Sequence, residues 1–115
     1  MIVEDEKCLL KLATIILTAR GYEVVGAADG LQALKIMERG DIDLILLDVM
    51  LPGIDGFEVC RRIKQNDAYS DIPVVMLTAK KNQTDLDRGN EVGAAWYITK
   101  PFKSSNVIET VERLL

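Results

Sequence analysis

Histidine is missing from this chain altogether. That absence removes Ser/His and Cys/His nucleophilic pairs, His-ligated zinc and an imidazole switch near neutral pH. Any phosphohistidine chemistry must therefore bring its histidine from another molecule or domain. Cysteine is scarce too: Cys8 and Cys60 stand alone, with no C-x-x-C spacing, which favours a reduced, cytoplasmic setting. Both are expected to be core-facing, unreactive thiols. No apolar run approaches the roughly 20 residues of a membrane span, and no leader pattern opens the chain. Basic clusters are lacking as well. With 14 Lys and Arg against 18 Asp and Glu, the net charge is −4, so the domain has no electrostatic footprint for nucleic acid.

What is present reads as one globular domain over residues 1–115, with 49% hydrophobic and 28% charged residues. Periodicity predicts strands at 1–4, 22–28, 44–47, 73–77 and 96–99. Between and after them it predicts helices at 6–20, 31–39, 57–65 and 83–92, and a last helix capped by Ser104 or Ser105. Gly21, Gly40 and Gly93 stand where helices should stop. The runs 44–47 and 73–77 are apolar throughout, as in strands covered on both faces. Leu9, Leu10, Ala13, Ile16 and Leu17 share one face of the first helix; Leu31, Leu34 and Met37 recur at helical spacing in the second. In the last helix, Val107, Ile108, Val111, Leu114 and Leu115 are expected to point inward. The alternation predicts an α/β fold: a five-stranded parallel sheet with helices on both faces, joined by right-handed crossovers.

Ligands of open α/β sheets bind beyond the carboxyl ends of the strands. Glu4 and Asp5 end the first strand, Asp48 the third and Thr78 the fourth, while Lys100 follows the fifth. With neighbouring strands about 4.8 Å apart, adjacent first and third strands would bring three carboxylates together. Such a cluster calls for a cation or a proton, and hard oxygen donors suit Mg²⁺ or Mn²⁺. A carboxylate beside such an ion can act as a nucleophile towards phosphorus, with Lys100 and Thr78 meeting the phosphoryl oxygens. Each of these residues alone is more often solvated surface charge or a strand residue. Their joint placement on one rim carries the reading.

Four runs in register resemble the receiver domain of bacterial two-component response regulators, the chemotaxis receiver among them. They are V-E-D-E at 3–6, L-L-D-V-M-L-P-G-I-D-G at 46–56, M-L-T-A at 76–79 and Y-I-T-K-P-F at 97–102. The resemblance spans almost the whole chain and implies a flavodoxin-like sheet of order 2-1-3-4-5. It implies Asp48 as phosphoacceptor, Asp5 as a direct metal ligand, Glu4 acting through water, and the Met50 backbone carbonyl as a further ligand. Thr78 and Lys100 would contact the phosphoryl group, and Tyr97 would be the aromatic switch that turns inward as Thr78 moves. The implied partners are a sensor histidine kinase or phosphotransfer protein and an output domain or effector. A dimer through the face of the fourth helix, fifth strand and fifth helix is also open to it.

The chain departs from the family pattern in places. Glu4 stands where Asp is commoner, and Ala95 and Trp96 replace a frequent acidic pair. Thr110 replaces an arginine of the winged-helix subfamily, which argues against that subfamily's shared dimer interface. Trp96 is either an apolar contact surface or a tryptophan packed at a strand end. Met50 and Lys80 flank the site and should tune water access, whereas Gly53 and Gly56 serve loop geometry. The short first strand and the ending on Leu114–Leu115 lean towards a piece cut from a longer protein. Two other functions compete. A small aspartate-nucleophile phosphatase would want a second Asp at position 50, where Met50 stands. An unphosphorylated pseudo-receiver binding module would not need Asp48, Thr78 and Lys100 together.

Overall fold

A computed structural model describes residues 1–79, 83–100 and 102–115. The elements run β1 (Ile2–Val3), α1 (Lys7–Thr18), β2 (Gly26–Ala27), α2 (Gly30–Glu38), β3 (Ile45–Asp48), α3 (Gly56–Gln65), β4 (Val74–Thr78), α4 (Gln83–Val92), β5 (Trp96–Thr99) and α5 (Ser104–Leu114). All strand pairs are parallel, in the order β2-β1-β3-β4-β5. This is the flavodoxin-like arrangement expected.

Alternation along the central strands sorts the core into two layers. Ile45, Leu47, Val74 and Met76 face Ala33, Met37, Phe57, Val59 and Ile63, on the side of α2 and α3. Leu46, Val75, Leu77 and Ile98 face Ala13, Leu17, Val107 and Val111, on the side of α1 and α5. Both faces are covered, so β3 and β4 can be apolar at every inner position. Each such side chain removed from water contributes roughly 1.5–3 kcal/mol.

Several local expectations need correction. The ladder of β2 is two residues long and not seven. It is an edge strand paired, among the described residues, with β1, which offers Ile2 and Val3 to Gly26 and Ala27. Leu31 is exposed, and the buried face of α2 is Ala33, Ile36 and Met37. In α5, Leu115 is exposed, Ile108 and Leu114 are half-buried, and Val107 and Val111 carry the packing. That helix starts at Ser104, so its N-cap falls on Lys103, which has no acceptor; neither serine caps it. Cys8 is exposed, since the buried face of α1 is Ala13 and Leu17; Cys60 is buried as expected. Gly21 takes φ +91° after α1, the left-handed geometry of a helix-ending glycine.

Candidate functional site

The rim at the carboxyl ends of the strands is assembled by register. Val3 lies opposite Leu47, Asp48 opposite Leu77, and Thr78 opposite Thr99. Glu4 and Asp48 therefore finish their strands at one level, with Thr78 one residue and Lys100 two residues further along the same rim. The Glu4 N–H donates to the Ala27 carbonyl and the Lys100 N–H to the Thr78 carbonyl, which fixes both chain exits. Two-residue alternation then decides which side each residue serves. Glu4 follows Ile2, Asp48 follows Leu46 and Lys100 follows Ile98, all on the α1/α5 layer. Thr78 follows Met76 on the opposite layer, and Tyr97 packs against that layer too.

The geometry agrees with this sorting. The Lys100 Nζ donates to Glu4 Oε1 at 2.6 Å and pairs with Asp48 Oδ2 at 3.0 Å. The other Asp48 oxygen, Oδ1, accepts from the Met50 N–H at 3.1 Å. Glu4, Asp48 and Thr78 are buried to within 3% of full enclosure, whereas Asp5 is exposed. Among the described residues, Glu4, Asp5 and Asp48 each offer a carboxylate oxygen, all within 4.8 Å of one another. Burial would lower the Lys100 ammonium, but hydrogen bonds to Glu4 and then Asp48, with their charges, outweigh it. The group is held above its ordinary value and stays charged.

The loop after β3 is held tightly. The Gly56 N–H donates to the Val49 carbonyl, and a Cβ on Gly56 would lie 2.2 Å from the Asp48 carbonyl oxygen. Only glycine lets α3 start that close behind the aspartate, so Gly56 serves the site through backbone space, as its loop role anticipated. Gly53, at φ +77°, turns the same loop. The Met50 side chain is exposed beside the site; Lys80 lies outside the described residues. On the other layer, the Tyr97 phenol is half-buried and donates to Asn90 Oδ1 of α4 at 2.9 Å. Partial burial, with Cys60 and Asp87 nearby, raises its pKa above the ordinary phenol value. Trp96 is half-exposed, with the Arg113 guanidinium 5.4 Å from its ring centre.

A family model described as the response regulator receiver domain matches residues 1–112. The chain belongs to that family. This receiver is 43% identical over its whole length to the alkaline phosphatase synthesis transcriptional regulatory protein PhoP of Bacillus subtilis, covering 47% of that protein. It is 41% identical to the DNA-binding response regulator MtrA of Mycobacterium tuberculosis, covering 49%. The chain thus spans about half the length of these curated relatives. Among solved structures, the chemotaxis protein CheY4 of Vibrio cholerae superposes with a TM-score of 0.95 at 32% identity. That match covers 99% of this receiver and 95% of the other chain.

The sequence did not reveal every residue that shapes this receiver's site. The pairing of Glu4 with Lys100 joins residues 96 positions apart, and no local pattern announces it. The tie from Arg88 of α4 to Asp55, at 3.5 Å, and to the Phe57 ring, at 4.2 Å, was likewise invisible.

Proposed function

We propose that this receiver is a phosphorylation-driven switch in which Asp48 takes a phosphoryl group from the phosphohistidine of a partner kinase or phosphotransfer protein. The observation that carries this reading is the enclosure of Asp48 between an ammonium and two further carboxylates at the carboxyl ends of the strands. A carboxylate oxygen of Asp48 attacks phosphorus and an O–P bond forms. The P–N bond breaks, and the imidazole leaves with its electron pair and takes up a proton. The Lys100 ammonium meets negative charge on the phosphoryl oxygens, and the Thr78 hydroxyl can donate to one of them.

The donor set suits a divalent ion, Mg²⁺ or Mn²⁺: among the described residues, three carboxylates stand against one ammonium in a small oxygen-lined space, an excess of two negative charges. Asp5, Asp48 and the Met50 carbonyl would hold it, with Glu4 acting through water. When bound, it neutralises charge on the transferring group. The chain itself orients Asp48 through the Met50 N–H and keeps Lys100 beside it.

Thr78 and Tyr97 share a layer, and Tyr97 is tied to α4, so movement of Thr78 towards a phosphoryl oxygen would be read on the α4-β5-α5 face. That face would serve an output domain, an effector or a second copy. DNA-binding relatives make a DNA-binding output domain the natural recipient, in a cytoplasmic protein. Among the described residues, no helix is long and apolar enough to cross a membrane.

Incubation with Mg²⁺ and acetyl phosphate should add a single phosphate, seen by mass spectrometry, and Asp48→Asn should abolish it. Equal labelling of that variant would refute the assignment. Sustained turnover of small phosphoesters would favour the phosphatase instead.

A further inference from the structure

The acidic rim is already occupied by a cation, and that cation is a side chain. The Lys100 Nζ sits 2.6 Å from Glu4 Oε1, inside the range of strong charge-assisted hydrogen bonds, and 3.0 Å from Asp48 Oδ2. The second Glu4 oxygen accepts from the Glu6 N–H at 3.3 Å, so the carboxylate is gripped at both ends. Burial to 2% exposure leaves water little access to loosen it. In the sheet, β1 and β5 are separated by β3 and β4, roughly 14 Å at strand spacing. Lys100 and Glu4 bridge that distance with two long arms that meet over Asp48. An aspartate at position 4 is one methylene shorter and would fall short of the same ammonium.

We propose that Glu4 is a positioning residue for Lys100: its longer arm tethers the ammonium across the mouth of the rim, so that a divalent ion must compete with Lys100 for both Glu4 and Asp48. This inference rests on the reading of the rim as a cation-assisted phosphoacceptor site. The departure from the commoner Asp thus acquires a specific consequence. Before a cation binds, Lys100 serves as the site's own counter-ion. Cation binding releases Lys100 from Glu4 and frees it for an incoming phosphoryl oxygen.

The test compares the unsubstituted chain with Glu4→Asp, Lys100→Met and the double variant, in two measurements. In the metal-free protein, ¹⁵N-labelled lysine NMR should show a slowly exchanging Lys100 ammonium that disappears in Glu4→Asp. In calorimetric Mg²⁺ titrations, Glu4→Asp should bind about tenfold more tightly, the worth of one charged hydrogen bond that no longer competes. Lys100→Met should gain at least that factor, since it frees Asp48 too, and it reports the same pair should Glu4→Asp fail to fold. Because both changes remove the Glu4–Lys100 pairing, and Lys100→Met removes the Asp48 pairing as well, the double variant should gain no more than Lys100→Met alone. An invisible Lys100 ammonium in the unsubstituted chain, or one that persists in Glu4→Asp, overturns the proposal. So does unchanged or weaker Mg²⁺ binding in either single variant, and so do additive gains. Failure of the underlying function looks different: Asp48 would take no label from acetyl phosphate, while the lysine spectrum of the metal-free protein would stand.

Discussion

Cys8 and Cys60 show how environment, and not residue type, sets chemistry. Cys8 sits exposed at the start of α1, while Cys60 is buried in α3 with its Sγ against the Val92 carbonyl. Burial pushes the Cys60 thiol from 9.0 up to about 11, against the lowering influence of Lys64. In the unfolded chain this thiol ionises near its ordinary value; in the folded chain it keeps its proton. Its contribution to stability is therefore constant below about pH 9 and falls as pH rises from there to about 11, by on the order of 2 kcal/mol. Urea unfolding of the chain and of Cys60→Ala should show their stability difference shrinking by that amount across this window. A pH-independent difference would sink the idea. In native protein at neutral pH, a thiol reagent should modify Cys8 and spare Cys60.

Helix starts belong to the next scale. Asp29 and Asp55 each precede a glycine, and in sequence both pairs read as loop. The structure makes both aspartates N-caps: Asp29 accepts from the Gln32 N–H and Asp55 from the Glu58 N–H. Gln32 returns the favour to the Ala28 N–H. Replacing either aspartate by alanine should cost about 1 kcal/mol, measured by urea denaturation. Asp55 also faces Arg88, but both side chains are close to half exposed, so the pair should add little. A loss in Asp55→Ala twice that of Asp29→Ala would show that the α3–α4 tie carries real weight. Element types and order were legible in the sequence because the apolar periods are clean. Boundaries were not: β2 depends on how much of β1 is there to pair with, and the α5 cap depends on where the backbone enters the helix.

For the molecule as a whole, the site opposes the fold. Among the described residues, three carboxylates crowd one rim against a single ammonium, and two of them, Glu4 and Asp48, are buried. Asp48→Asn should therefore stabilise the metal-free protein, by roughly 0.5–2 kcal/mol, while abolishing phosphoacceptance. Mg²⁺ at about a hundred times its dissociation constant should stabilise the unsubstituted chain by ~2.7 kcal/mol, and chelation should reverse this. The gain should be much smaller in Asp48→Asn. Thermal melts with and without Mg²⁺ check both statements; an Asp48→Asn variant less stable than the parent in chelator would contradict the first.

The sequence by itself determined the alternation of elements, the two-sided burial of β3 and β4, and the list of polar residues that end strands. These follow from local rules: periodicity, turn residues and the position of charge after an apolar run. Only the tertiary structure decided which of those residues meet. Strand order and register set Glu4 level with Asp48 and leave Lys100 two residues further along its strand, from where its long arm reaches back, and alternation turns the three to the α1/α5 side while Thr78 and Tyr97 take the other. The Glu4–Lys100 contact spans nearly the whole chain. No local pattern can encode it, because it exists only once four strands lie side by side.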